Sequence, residues 1–265
     1  MILSLRDSLP KTAFKGKVAS SSEVHKTTMS EIELKFVTHQ HAHEPFTQNV
    51  LPLFKKNNVV VLSHHEMRLE NDYYDTSNLA FQNHKMGFRV RGCNGRYEQT
   101  LKTNGVVSGG LHQRAEYNVD LDTPTPDLTL FSADVWPSGF DIPTMNASLS
   151  RQFSTHFTRH AYMVEIGDSE VEIVLDCGEA ITDKARSPIN EIELELKKGE
   201  VGSLFILASL INKTMDVRLS DVSKAAQGYQ LLHGFNEKIR PLPAFLSLPE
   251  NTSTQDAFIS AVNSA

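Results

Sequence analysis

Two segments far apart in the chain, E-I-E-L-K-F at 31–36 and N-E-I-E-L-E-L at 190–196, alternate strictly between charged and branched or aromatic apolar residues. A period of two excludes a helix and dictates a β-strand with two unlike faces. Glu31, Glu33 and Lys35 share one face of the first strand, and Glu191, Glu193 and Glu195 share one face of the second. A lone strand of this kind reads as half solvated. Two such faces brought together crowd four or five carboxylates, which a divalent metal would make tolerable.

The rest of the chain repeats the pattern. Strands are expected at 31–37, 58–63, 67–75, 86–93, 96–103, 113–121, 157–166, 170–177, 179–183 and 190–197, with turn signals such as Asn104-Gly105, Gly109-Gly110 and Gly167-Asp168 between them. Arg89 and Arg91 share a face, as do Glu98, Thr100 and Lys102, and also Arg114, Glu116 and Asn118. The opposite faces carry Val, Ile, Leu, Phe and Tyr. Glutamates gather in the first and last strands and Arg/Lys in the middle ones, a selection that solvent exposure does not explain. The expected fold is α+β: an antiparallel barrel turned inside out, with charge lining the interior and apolar faces packed under helices. Interior charge is costly unless paired or held by a ligand.

Helices are expected over 43–57, within the limits set by Pro45 and Pro52, and in a short segment through Phe153 capped by Asn146 or Ser148. A further helix starts at Ser203, with Leu204, Leu207, Ala208 and Ile211 on one face, and another covers 220–236. Residues 1–28, basic and Ser/Thr-rich, read as a leader outside the fold, with the main domain at 29–236. Residues 237–265 read as a Pro-rich linker and the start of another helix. The net charge of −6 argues against nucleic acid as the main partner. No apolar run is long enough to span a bilayer, and two cysteines without metal-type spacing suggest a reducing cytoplasm.

Side chains at i and i+2 stand about 6–7 Å apart along a strand, so carboxylates of neighbouring strands can converge on hard cations. Oxygen-only ligation favours Mg²⁺ or Mn²⁺. Arginines and lysines on the facing wall suit phosphate oxygens. Acids on one side and bases on the other make a site for phosphoryl-transfer chemistry.

These features resemble the CYTH domain, the fold of the triphosphate tunnel metalloenzymes. The likeness runs from Glu31-x-Glu33-x-Lys35 through N-D-Y-Y-D-T at 71–76, G-F-R-V-R at 87–91, Q-T-L-K-T at 99–103 and R-A-E-Y at 114–117. It continues to L-D-C-G-E at 175–179, N-E-I-E-L-E-L, and S-K-A-A-Q-G-Y at 223–229. The resemblance implies an eight-stranded antiparallel barrel around a tunnel, most like bacterial inorganic triphosphatases, whose CYTH domain is often followed by a helical CHAD domain. By that resemblance Glu31, Glu33, Asp176, Glu191, Glu193 and Glu195 are candidate metal ligands, with the choice among the last three open. It also implies that Lys35, Arg89, Arg91, Lys102, Arg114, Arg159 and Lys224 contact triphosphate. Lys35, Glu116 and Arg159 are candidate catalytic residues, Glu116 orienting a basic neighbour or joining the metal network; Lys184 and Arg218 are further candidates. The implied reaction is hydrolysis of triphosphate to pyrophosphate and phosphate. The alternatives are thiamine- or nucleoside-triphosphate hydrolysis or cyclase chemistry in the same tunnel, and a non-catalytic polyphosphate-binding module.

Other conspicuous residues carry plainer expectations. His39, His41 and His43 read as a solvated turn, as do His64 and His65. Trp136 reads as a loop anchor, Cys93 and Cys177 as unreactive filler, and Asp72, Tyr73 and Tyr74 as mainly structural.

Overall fold

The computed structural model describes residues 27–39, 41–234 and 252–253; apart from 27–28 and 252–253, the expected leader and the 237–265 region lie outside the described residues. The strands are β1 (Thr27–Thr38), β2 (Val60–Asp75), β3 (Gly87–Cys93), β4 (Arg96–Lys102), β5 (Val106–Ser108), β6 (Leu111–Leu121), β7 (Ser150–Ile166), β8 (Ser169–Ile181), β9 (Arg186–Lys198) and β10 (Val217–Leu219). Pairing is antiparallel throughout, in the order β10-β1-β9-β8-β7-β2-β3-β4-β6-β5. β1 also pairs with β6, so the sheet from β1 round to β6 closes into a barrel of the eight strands that the resemblance implies. β10 and β5 are short additions beside β1 and β6.

Closure places unlike charges opposite one another. Glu31 stands across from Arg114, Lys35 from Glu193, Lys102 from Glu116, and Arg159 from Asp176, which in turn faces Glu191. The alternate residues point outward. Leu34, Phe36, Val171, Ile173, Ile192 and Leu194 form one outer core with Phe46, Val50, Phe54, Leu204, Leu207 and Ile211. Those partners come from the helical segment α1 (His43–Pro45), a π-helical turn (Phe46–Val50) and α2 (Leu51–Lys56), and from α5 (Gly202–Asn212). The two prolines fall on either side of the π turn, where a missing N–H is tolerated. A second outer core joins Phe88, Leu101 and Val119 to Phe81 of α3 (Ala80–Asn83) and to Leu128 and Phe131. Trp136 packs against Phe81, Phe131 and Phe140 and anchors that segment.

Four local expectations are corrected. The segments 58–63 and 67–75 are one strand with an irregularity between Val61 and Ser63. The segments 170–177 and 179–183 are likewise one strand, because Gly178 lets β8 pass β7 where a Cβ would stand 2.1 Å from the His156 carbonyl oxygen. The helix before β7 is α4 (Ile142–Ala147), capped by Asp141, whereas Phe153 lies inside β7. Phe153, Phe157 and Arg159 follow the period of two, and Asn146 turns its side chain to the Leu128 N–H at 2.8 Å. The last described helix, α6, is Lys224–His233, capped by Ser223, so it starts after the residue 220 expected for it.

Candidate functional site

The barrel encloses a cavity of about 1210 Å³. β8 and β9 build an acidic cluster beside it, in which Glu193 borders the cavity and Asp176 and Glu191 are buried behind it. Asp176, Glu191 and Glu193 each offer a carboxylate oxygen within 4.8 Å of the others. Three cations hold them. Lys224 Nζ lies 2.8 Å from Asp176, 2.5 Å from Glu191 and 2.9 Å from Glu193. Lys35 lies 2.8 Å from Glu191 and 3.5 Å from Glu193. Arg159 donates to both Asp176 oxygens, at 2.8 and 2.7 Å, and to Glu193 at 3.4 Å. Burial disfavours charge on Asp176 and Glu193, but these partners outweigh it and hold both carboxyls below the ordinary range. Lys224 and Arg159 are held above theirs by the same acids, against the effect of burial.

A second group spans β1, β4 and β6. Lys102 donates to both Glu31 oxygens, at 2.8 and 2.7 Å, and lies 2.7 Å from Glu116. Arg114 reaches Glu31 at 3.4 Å and Glu33 at 3.2 Å. Burial opposes the charge on Glu116, but Lys102 and Arg89 hold that carboxyl well below its usual range. Glu33 is the contrary case: burial, Glu193 and Glu31 push its carboxyl up to about 7. Glu195 stands apart, held by Lys197 at 2.6 Å, which also contacts Glu172 at 3.1 Å; burial raises its carboxyl.

Arg89 and Arg91 on β3 complete the lining. Arg91 donates to the amide oxygen of Asn71 at 2.9 Å, and the buried Nε of Arg89 has no hydrogen-bond partner among the described residues. Burial opposes the charge on Arg89, but Tyr73, which hydrogen-bonds the guanidinium, and Glu116, itself engaged by Lys102, hold it above its ordinary range. Burial and the guanidinia of Arg89 and Arg159 push Arg91 down to about 9. A guanidinium resists deprotonation, so the relief open to Arg91 is an anion.

Helix α6 sets Lys224 in place. Ser223 caps it by accepting from the Ala226 N–H at 3.1 Å. Tyr229 donates to Asp75 Oδ2 at 2.7 Å, and Asp75 accepts from the backbone of Thr76, Phe81 and Gln82. Gly228 lies so close to Phe153 that a Cβ would stand 2.0 Å from the ring.

The sequence pattern of the CYTH domain matches residues 29–229. The chain belongs to the CYTH domain family. An inorganic triphosphatase of Haemophilus influenzae is 36% identical over 208 residues, a match covering 77% of this chain and 55% of that protein. The chain thus spans about half the length of that curated relative. Among solved structures, the CYTH barrel is similar to the Hippeastrum protein HpAC1, named for adenylyl cyclase and described as having a dominant triphosphatase activity. The TM-score is 0.53 at 18% identity, covering 76% of this chain and 95% of that one; this likeness concerns the fold.

The CYTH interior gathers every candidate residue named from the sequence except two: Arg218 is exposed on β10, and Lys184 is exposed in the turn between β8 and β9. Glu172, Lys197 and Tyr73 also line the cavity. Glu172 and Lys197 were within reach of sequence reasoning, since they keep the two-residue period with Asp176 and with Glu195. Outside the barrel, His43 departs from the solvated turn expected for it. It stacks on His160 with ring centroids 3.5 Å apart, beside His64. Burial first, then neighbouring imidazoles, hold His43 and His160 below the ordinary histidine range. Cys177 meets His41 at 2.8 Å, and burial, then Asp176, raises its thiol. No helix among the described residues is long and apolar enough to cross a membrane.

Proposed function

We propose that this CYTH barrel binds inorganic triphosphate and hydrolyses it to pyrophosphate and orthophosphate with Mg²⁺ or Mn²⁺. The observation that carries the reading is the pair Arg89 and Arg91: two guanidinia in the barrel lining, one with an unpartnered Nε, opposed to a wall of carboxylates. The name of the Haemophilus relative supports the same reaction.

The donor set fits the metal. Asp176, Glu191 and Glu193 supply hard oxygen ligands, with Glu31 and Glu33 on the neighbouring strand. Glu195 is assigned elsewhere, to Lys197. When bound, a divalent ion supplies charge neutralisation and polarises a phosphoryl oxygen. The chain does the rest. Arg89, Arg91, Lys102 and Arg114 bind the polyanion, the arginines in bidentate fashion. Glu116 holds Lys102 and so orients it. Lys35, Arg159 and Lys224, which neutralise the acids, would face phosphate oxygens were a divalent cation to share those carboxylates. Lys35 and Arg159 then stabilise charge developing on the bridging oxygen.

Phosphate release from triphosphate, longer polyphosphate, ATP and thiamine triphosphate, each with Mg²⁺ and with Mn²⁺, tests this. Triphosphate is expected to be turned over fastest. Equal activity on ATP, or full activity in Glu31→Gln and Glu33→Gln, would overturn the reading.

A further inference from the structure

We propose that His43, His64 and His160 form a binding site for a borderline transition-metal ion of the Zn²⁺, Co²⁺ or Ni²⁺ class. The site lies on the outer wall of the barrel and is separate from the interior.

The three imidazoles come from three elements, α1, β2 and β7. One nitrogen of each lies within 4.8 Å of the other two. Nitrogens bound at about 2.0–2.1 Å to a tetrahedral ion stand about 3.3–3.4 Å apart; His64 Nε2 and His160 Nδ1 are 3.3 Å apart. The rings now stack near parallel, at 6° for His43 with His160 and 16° for His64 with His160, so binding an ion requires them to tilt out of the stack about their side-chain torsions until their in-plane lone pairs meet. Two neighbours complete the arrangement. The Tyr162 hydroxyl lies 3.0 Å from His43 Nε2, an outer contact of the kind that orients a ligand ring. Glu66 pairs with His160 in the strand register and lies two residues from His64, so its carboxylate shares that face and is a candidate fourth donor.

The donor types separate this site from the interior. Imidazole nitrogen selects borderline metals, whereas the all-oxygen set inside suits Mg²⁺ or Mn²⁺. An ion on the outer site ties α1 to β2 and β7. It would act as a clamp on the helical segment whose Phe46, Val50 and Phe54 fill the outer core.

The test is calorimetric titration of the full chain with Zn²⁺ in the presence of excess Mg²⁺, which competes for the interior acids. One Zn²⁺ per chain is expected, with affinity at least about tenfold weaker in His160→Ala and in His64→Gln. His65→Ala and Glu193→Gln should bind Zn²⁺ as the unaltered chain does. His64→Gln, a change at an exposed residue, keeps the test open should His160→Ala fail to fold. Triphosphate hydrolysis in Mg²⁺ without Zn²⁺ should be unchanged in His64→Gln. Absence of stoichiometric Zn²⁺ uptake would overturn the proposal, as would uptake that survives the histidine changes and is lost in Glu193→Gln. Failure here leaves the interior reaction untouched, because the two sites share no residue.

Discussion

Lys224, the first residue of α6, places its ammonium 2.8 Å from Asp176 in the barrel wall, although 7% of Lys224 and 1% of Asp176 remain exposed. A buried lysine of this kind is tolerable only because Glu191 and Glu193 also face it. The same three acids are the proposed metal ligands, so Lys224 and the metal compete for one charge balance.

Lys224→Met should therefore lower stability in metal-free buffer by about 3–5 kcal/mol, the usual cost of stripping one partner from a buried ion pair. Part of that loss should return with Mg²⁺, since a cation binding only the folded chain stabilises it by mass action. Denaturant unfolding with and without Mg²⁺ reads both effects. Equal losses in the two buffers would show that the acids do not take up the ion.

Arg91→Gln makes the opposite prediction. Arg91 is pressed by Arg89 and Arg159 and has Asn71 as a side-chain partner, so its charge serves a ligand more than the fold. Stability should change by no more than about 1 kcal/mol, while kcat/KM for triphosphate falls about 100-fold, or about 2.7 kcal/mol of transition-state binding. A large stability loss with hydrolysis intact would assign Arg91 to the scaffold.

The contrast between these two residues shows what could be read from the chain alone. The charged interior was legible because Glu31, Glu33 and Lys35, or Arg89 and Arg91, declare their shared face through a local period of two. What a charge meets is not local. Lys224 reaches Asp176 because α6 docks through Tyr229 and Gly228, and nothing near residue 224 encodes that contact. The choice between Glu193 and Glu195 depends likewise on β1 register and on Lys197. The histidines misled for the same reason: His41 and His43 look alike in sequence, yet only His43 enters α1 and meets His160 across the wall. The Ser- and Asn-rich stretch before β7 offered cap-like residues, but the phenylalanines after it carry strand periodicity.

Gly228→Ala probes the docking itself. The added Cβ would stand 2.0–2.4 Å from three atoms of the Phe153 ring, and that ring is stacked on Tyr73 and edge-on to Tyr229. Relief requires α6 to move, and Lys224 moves with it. Overpacking of this kind costs about 1–3 kcal/mol, and hydrolysis should fall in the same variant although residue 228 touches no charged group of the interior. Activity unchanged in a destabilised protein would uncouple the helix from the site.

Metal uptake should carry a proton signature. Glu33 is pushed up to about 7 by burial and by Glu193 and Glu31, so near neutrality its carboxyl is partly protonated, and a cation must displace that proton. The sign follows directly: the carboxylate is the form that binds, so apparent Mg²⁺ affinity should fall as pH drops below about 7 and level off above it. Calorimetry in buffers of different ionisation enthalpy counts the released proton, and Glu33→Gln should abolish that share of the release. Affinity independent of pH between 6 and 8, values chosen to bracket about 7, would remove Glu33 from the binding set.

Glu193 and Glu195 make the sharpest comparison, because they stand two residues apart on one face and differ only in company. Glu193 is surrounded by Lys35, Arg159 and Lys224 and shares a 4.8 Å cluster with Asp176 and Glu191. Glu195 answers to Lys197, itself held by Glu172. Glu193→Gln should weaken Mg²⁺ binding and reduce kcat by about 100-fold or more, the scale on which loss of a preorganised electrostatic group acts. Glu195→Gln should leave metal affinity within about threefold, a difference of under 1 kcal/mol, and act on turnover only modestly through a freed Lys197. Steady-state kinetics at saturating and limiting Mg²⁺ separate the two variants. If Glu195→Gln proves the more damaging, the ion sits nearer the Glu31 and Lys102 side of the barrel, and the cluster around Asp176 is a structural ion-pair network instead.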